Sequence, residues 1–170
     1  MANLVLESNL FYYTNALTST TSDTQSKWLG AVFAGGSIPK YYFMGWNVNL
    51  NNRSTSSAAG STSLTTTEMG PRFGAFFGKG GIYSVALTFN PLVSATFNPP
   101  NGGGTEKWQG YGYLIELGFA PQVGKVLYAG VKIIYDVARY SSRTDAGNIT
   151  SSVSYTQSSI FPSLYLSWRY

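Results

Sequence analysis

The sequence contains no cysteine and no histidine, and it is short of charge, with eleven Lys and Arg and seven Asp and Glu making up 11% of the chain. Without cysteine there is no disulfide framework and no thiolate chemistry. Without histidine the commonest general acid–base group is missing. The charged share is less than half that of an ordinary soluble domain, and a fully wetted surface so poor in charge would be hard to keep dispersed. Part of the surface therefore does not face water. Long apolar runs are absent as well: none approaches the ~18 residues of a transmembrane helix. A helical membrane protein is excluded, which leaves a closed barrel of strands as the way through hydrocarbon. The net charge of +4 is small and its residues are scattered, which argues against a nucleic-acid surface.

What fills the gap is glycine (19 residues), aromatics (16%) and many Ser, Thr and Asn. Turn signals divide 1–170, a single domain, into segments near 3–16, 26–35, 40–53, 62–77, 82–97, 107–120, 126–141 and 152–169. Their connections alternate: tight at 35–39, 78–81 and 121–124, longer and polar at 18–25, 54–61, 98–106 and 142–150. The segments are rich in Val, Ile, Thr, Tyr, Phe and Trp, which favour strands. The pattern predicts an all-β fold, an eight-stranded antiparallel up-and-down transmembrane β-barrel with short periplasmic turns and longer extracellular loops. An even strand count puts both termini beside the short turns. No leader precedes the first strand, so the expectation is a mature chain whose signal peptide has been removed.

Alternation splits each segment into two faces. Tyr42, Met44, Trp46, Val48 and Leu50 oppose Gly45, Asn47, Asn49 and Asn51; Tyr83, Val85, Leu87 and Phe89 oppose Ser84, Ala86, Thr88 and Asn90. Ile115, Leu117 and Phe119 oppose Gly112, Glu116 and Gly118, and Val131, Ile133 and Tyr135 oppose Lys132 and Asp136. A soluble, lipocalin-like barrel would alternate too, with its apolar face inward. Two features place the polar face inward instead. Glycines, including Gly45, Gly70, Gly74 and Gly130, fall on it, and an eight-stranded lumen must be filled by side chains that need such room. The mid-strand charges Glu7, Glu68, Arg72, Glu116, Lys132, Asp136 and Arg169 fall on it as well, four acids against three bases. They are expected to form one lumen ion-pair network. On the apolar face, Tyr42, Phe77, Tyr83, Phe119, Trp168 and Tyr170 would ring the short-turn end, and Tyr12, Phe97, Tyr111 and Tyr135 the long-loop end, as two interfacial girdles.

The chain closes on Leu164, Leu166, Trp168 and Tyr170, alternate positions ending in an aromatic residue. This resembles the C-terminal signal of bacterial outer-membrane barrels, and the whole chain resembles the small eight-stranded proteins of OmpA/OmpX/OmpW architecture. The resemblance implies an integral outer-membrane location, recognition of those four residues by the barrel-assembly machinery, and outer-membrane lipids including lipopolysaccharide as neighbours. It carries no internal motif, and no subfamily follows. Pro71, Pro91 and Pro162 depart from an ideal barrel: each implies a bulge or a gap in pairing, with faces beyond it open to an off-by-one shift.

Other motifs carry little. The 101–105 stretch is glycine-rich but lacks the Lys-Ser/Thr and helix of a phosphate loop. Asn52 and Asn148 head chance glycosylation triplets. Outer-membrane enzymes of known type use histidine, so no enzymatic activity and no cofactor or metal is expected. Glu68 and Glu116 are read as lumen network rather than as an acid–base pair. Lys40, Lys79 and Lys125 flank the short turns. Lys27, Arg53, Lys107, Arg139 and Arg143 lie near the long-loop end, either as solvated rim charge or as contacts for lipopolysaccharide phosphates. Two functions remain: a monomeric structural or surface-interaction barrel with a closed lumen, or a narrow channel or lateral conduit for small or hydrophobic molecules.

Overall fold

A computed structural model of the chain describes residues 3–17, 23–38, 41–58, 60–100 and 103–170. Eight strands follow in order: β1 Asn3–Leu17, β2 Asp23–Ser37, β3 Tyr42–Ser57, β4 Gly60–Phe77, β5 Tyr83–Asn98, β6 Glu106–Phe119, β7 Leu127–Thr144 and β8 Thr150–Arg169. Each pairs antiparallel with its sequence neighbours, and β8 returns to β1, so the sheet is a closed up-and-down barrel. A single 3₁₀ turn at Lys79–Gly81 joins β4 to β5. Of the expected features, Lys40 and parts of the 18–25 and 98–106 connections lie outside the described residues.

The strands run further than expected at the long-loop end. The 54–61 stretch, expected as a loop, is almost all ladder, and β3 and β4 meet across residues 58–59 alone. Serine and threonine pairs hold these extensions: Ser56 and Ser61 share a hydrogen bond of 2.9 Å, Thr144 and Thr150 one of 3.0 Å. Cross-strand hydroxyl pairs of this kind stabilise a wetted sheet.

The outer face changes character along one contour. On the short-turn side it is apolar: Tyr42 to Leu50 on β3, Tyr83 to Leu92 on β5, Tyr111 to Phe119 on β6 and Ile160 to Trp168 on β8. Each stretch matches the ~9–11 residues that cross a hydrocarbon layer. Beyond it the outward positions turn to Ser54 and Ser56, Thr65 and Ser63, Ser94 and Thr96, Gln109 and Lys107, and Ser158 and Thr156. At the short-turn end Phe77 is stacked on Tyr83 at 5.5 Å, and Tyr83 lies beside Phe119 at 5.4 Å. Tyr12, Tyr111 and Tyr135 also face outward.

Phe97 does not. The β5 ladders shift between Asn90 and Val93, where Pro91 and Leu92 insert one extra residue relative to both β4 and β6. A bulge reverses the alternation beyond it, so Val93 and Ala95 are buried in the lumen and Phe97 turns in to meet the Trp108 ring at 6.3 Å. All three prolines fall at an interruption of pairing, and Pro91 alone lies in the strand that bulges there. Pro71 sits opposite this bulge while β4 keeps its phase, with Glu68, Gly70 and Arg72 all inward. Pro162 pairs in register with Ile133 and causes no shift there. It lies just past Leu10↔Leu164, the last pair of the β1–β8 ladder, where a missing N–H removes no bond to β1.

Candidate functional site

The barrel interior is a stack of alternating apolar and polar layers, ordered by the inward residues of β1, β4 and β7. At the short-turn end Arg169 lies between the rings of Phe76 and Tyr128, 3.6 and 3.9 Å from their centroids. Its guanidinium donates to the Gly81 carbonyl at 2.6 Å. A pocket of about 360 Å³ opens here and ends on Val5 and Phe76. Those two residues belong to the first apolar layer, with Phe33, Phe43 and Ala86. Gly74 makes room in it, since a Cβ there would strike the Phe43 ring.

Above this layer lies an ion quartet drawn from four strands. Arg72 of β4 contacts Glu7 of β1 and reaches Glu116 of β6 with Nε 2.9 Å from Oε1 and Nη2 3.0 Å from Oε2. Lys132 of β7 reaches the same two acids, at 3.2 Å to Glu7 and 2.9 Å to Glu116. Two acids and two bases thus close a ring of alternating sign, with none of the four side chains more than 2% exposed. Tyr165 donates its hydroxyl to Glu7 Oε1. The cations also rest on rings: Arg72 lies 4.6 Å from Phe33 and Lys132 3.9 Å from Tyr165. Buried charges persist only when paired and hydrogen-bonded in this manner.

A second apolar layer follows, Leu29, Ala31, Leu114, Ile134 and Phe161 with Phe11 against it. Next comes a layer sequence reasoning divided wrongly. Glu68 and Asp136 were expected in one network with the other charges, but neither forms an ion pair among the described residues. Their carboxyl groups instead lie within hydrogen-bonding reach of each other. Asn90 Nδ2 donates to Glu68 at 2.6 Å, and Asn51 Nδ2 to Asp136 at 3.3 Å. Arg169 is likewise outside the quartet, held at the base. Alternation identifies inward residues, but it does not give their relative heights across a tilted barrel, and height decides who meets whom.

At the mouth, Tyr140 joins Val93, Ala95 and Ala138, with Trp108, Leu64 and Val153 around them. Sequence reasoning passed over Trp108 and Tyr140, whose rings meet edge to face at 5.6 Å. The signal was alternation alone: Trp108 shares the face of Glu116 on β6, and Tyr140 that of Lys132 and Asp136 on β7. Arg53 also turns in, with the Gln157 carboxamide oxygen 2.9 Å from its Nε when that amide is oriented toward it. Arg143 is paired with Glu106. Of the five basic residues expected near this end, Lys107 and Arg139 are the ones exposed on the outer wall. The Arg143–Glu106 pair is part-exposed, at 40% and 14%. Glu106→Gln is therefore expected to change the unfolding free energy by no more than about 1 kcal/mol, measured by urea titration of the folded barrel; a larger loss would place this pair in the core.

No protein-family model matches the chain, and no curated protein matches it. Among solved structures, the crystal structure of Neisserial surface protein A superposes with a TM-score of 0.49 at 12% identity, covering 99% of this chain and 97% of that one. The barrel assignment rests on the strand register described above.

Proposed function

We propose that this chain is an integral outer-membrane barrel without enzymatic activity, its lumen closed, working through the surface it presents beyond the membrane. The observation that carries the membrane placement is the contour on the outer wall. Apolar residues form a belt one bilayer core high, closed at its lower edge by stacked aromatics, while Ser and Thr take over above. Every side chain of the ion quartet is inside, and no Asp, Glu or Lys interrupts the belt. The decisive experiment is Leu117→Arg, a position 57% exposed in mid-belt on β6. In lipid the substitution should cost about 2–4 kcal/mol; a barrel whose belt faced water would accept it without loss. Mobility that shifts on boiling in detergent electrophoresis is expected for the parent protein.

Closure of the lumen is supported at each layer. Phe33, Arg72, Leu114, Ile134, Glu68 and Tyr140 are at most 3% exposed, so side chains fill the lumen at each level. Pure protein in a planar bilayer should accordingly show no steady conductance steps, and reproducible steps would sink the closed-lumen reading. Partners follow from the surface chemistry. Lys107 and Arg139 face outward beside the contour, where phosphates of lipopolysaccharide lie, and basic side chains attract anionic head groups. Leu164, Leu166 and Trp168 share the outer face of β8, the alternation by which the assembly machinery would take up the chain. A self-closed ring needs no second copy, and we read it as a monomer.

The second reading, a lateral conduit, draws on one observation. The β1–β8 ladder holds six pairs, Val5↔Arg169 to Leu10↔Leu164, against at least thirteen along every other seam. Above Leu10 the two strands run on unpaired with each other. Cross-linking this seam with an engineered cysteine pair would abolish passage of a hydrophobic solute under the conduit reading and leave a closed structural barrel unaffected.

A further inference from the structure

Two cations, Lys107 on β6 and Arg139 on β7, stand exposed on the outer wall at the upper edge of the apolar belt. Neither side chain has an ion-pair or hydrogen-bond partner among the described residues. The acids of these strands are already engaged elsewhere. Glu68, Glu116 and Asp136 are buried in the lumen, Glu106 is paired with Arg143, and Asp145 accepts from the backbone of its own turn. This side of the barrel shows positive charge with nothing on the protein to answer it.

A depression in the wall lies beside the same two residues. β5 carries its extra residue at Pro91 and Leu92, and β7 carries another at Ser141, which has no partner on β6. The two bulges flank the short stretch 109–111 of β6, and bulges bend the strands that carry them. Between them opens a pocket of about 460 Å³ on the outside of the barrel. Its lower rim is Met69, Leu92 and Tyr111, the top of the belt; its upper rim is Ser94, Gln109 and Ser141. Arg139 pairs with Tyr111 at the lower rim, and Lys107 is the next outward residue beyond Gln109. Apolar surface, neutral polar groups and two cations thus meet at one place.

We propose that this pocket holds one phosphorylated glycolipid of the outer leaflet, with acyl chains along Leu92 and Tyr111, sugar against Ser94, Gln109 and Ser141, and phosphates at Lys107 and Arg139. Hydroxyl and carboxamide groups both donate and accept, as sugar hydroxyls do. Basic side chains attract anionic head groups. A glycerophospholipid offers the polar rim no sugar to bind. The inference rests on the membrane placement above and narrows a general attraction to lipopolysaccharide to a single site.

The protein is folded in non-ionic detergent and titrated with bisphosphorylated lipid A, with the same lipid after removal of both phosphates, or with phosphatidylglycerol. Native mass spectrometry counts the lipids retained per barrel. One copy of the bisphosphorylated form should bind and saturate, ahead of both other lipids. The double variant Lys107→Ala with Arg139→Ala should weaken it by about thirtyfold, the weight of two basic groups at an anionic head group. Ser94→Phe fills the pocket without changing charge and should also remove the tight copy, while Lys125→Ala at the opposite end should bind as the parent does. All of these positions face water or detergent, and the heat-shifted electrophoretic form shows that each variant is folded. Several copies without saturation, equal retention of phosphatidylglycerol, or a Ser94→Phe barrel that binds like the parent would each overturn the site. A barrel destabilised by Leu117→Arg that retains no lipid A loses this site and keeps its membrane placement; one that accepts Leu117→Arg without loss forfeits both.

Discussion

Arg72→Ala is expected to lower the unfolding free energy by about 3–5 kcal/mol, the cost of breaking a buried pair by removing one partner. The loss is large because Arg72 serves two acids at once. It contacts Glu7 and makes a two-point contact to Glu116, and alanine would leave Lys132 alone to answer both. Double replacement by Arg72→Met and Glu116→Leu should recover part of the loss, since one acid and one base then remain, Glu7 and Lys132 at 3.2 Å, and buried pairs often exchange for apolar groups at little net cost. Urea titration in detergent or lipid vesicles measures both. An Arg72→Ala midpoint equal to the parent's would mean that water enters the quartet and screens it.

Gly70→Val should be as damaging by a different route. A Cβ at Gly70 would lie 1.9 Å from the Phe89 carbonyl oxygen and 2.8 Å from its carbon, both backbone. Neither can swing aside, because both belong to the stretch where β4 meets the β5 bulge and the ladder is already interrupted. Overpacking a well-filled site costs roughly 1–3 kcal/mol, and a collision with main chain belongs at or above the top of that range. The expected outcome is loss of the heat-shifted electrophoretic form or a steep fall in the unfolding midpoint. Gly124→Ala is the matched control: its nearest neighbour would be Leu127 Cβ at 3.5 Å, and it should fall within about 0.5 kcal/mol of the parent. Equal behaviour of the two variants would show that the β4–β5 contact is looser than described.

Much of this architecture is legible in the residues, and the limits have physical causes. Strict alternation on β3, β6 and β7 gives the faces outright, because a strand has a period of two and the two environments differ sharply. Pro91 signals an irregularity, but a bulge can fall on either side of a proline and on either strand. Phe97 therefore cannot be placed until the ladder is seen. The Ser/Thr stretches at 54–57 and at 150 read as loop by composition, yet they pair, since hydroxyl side chains suit a wetted sheet as well as a turn. In the lumen, Arg72, Glu7, Glu116 and Lys132 are visible as inward charges, but so are Glu68, Asp136 and Arg169. Nothing local distinguishes the four that meet from the three that do not. Stagger between strands decides that, and stagger is a property of the closed ring. Asn51 and Asn90 pass unnoticed for the same reason: an inward asparagine is ordinary until its neighbour across the lumen is known.

The quartet has one further consequence, for how the chain finds its fold. Lipid rewards any arrangement that keeps apolar residues outward, and a strand that slips by two positions keeps them there. The bilayer is blind to such an error. The interior is not: sliding β7 by two would bring Ile134 or Gly130 to the level of Lys132, and sliding β1 would offer Val5 or Asn9 in place of Glu7. Either slip takes one charge out of the ring and leaves the other three unbalanced. Four residues on four different strands thus act as a checksum on registration, read only once the ring has closed.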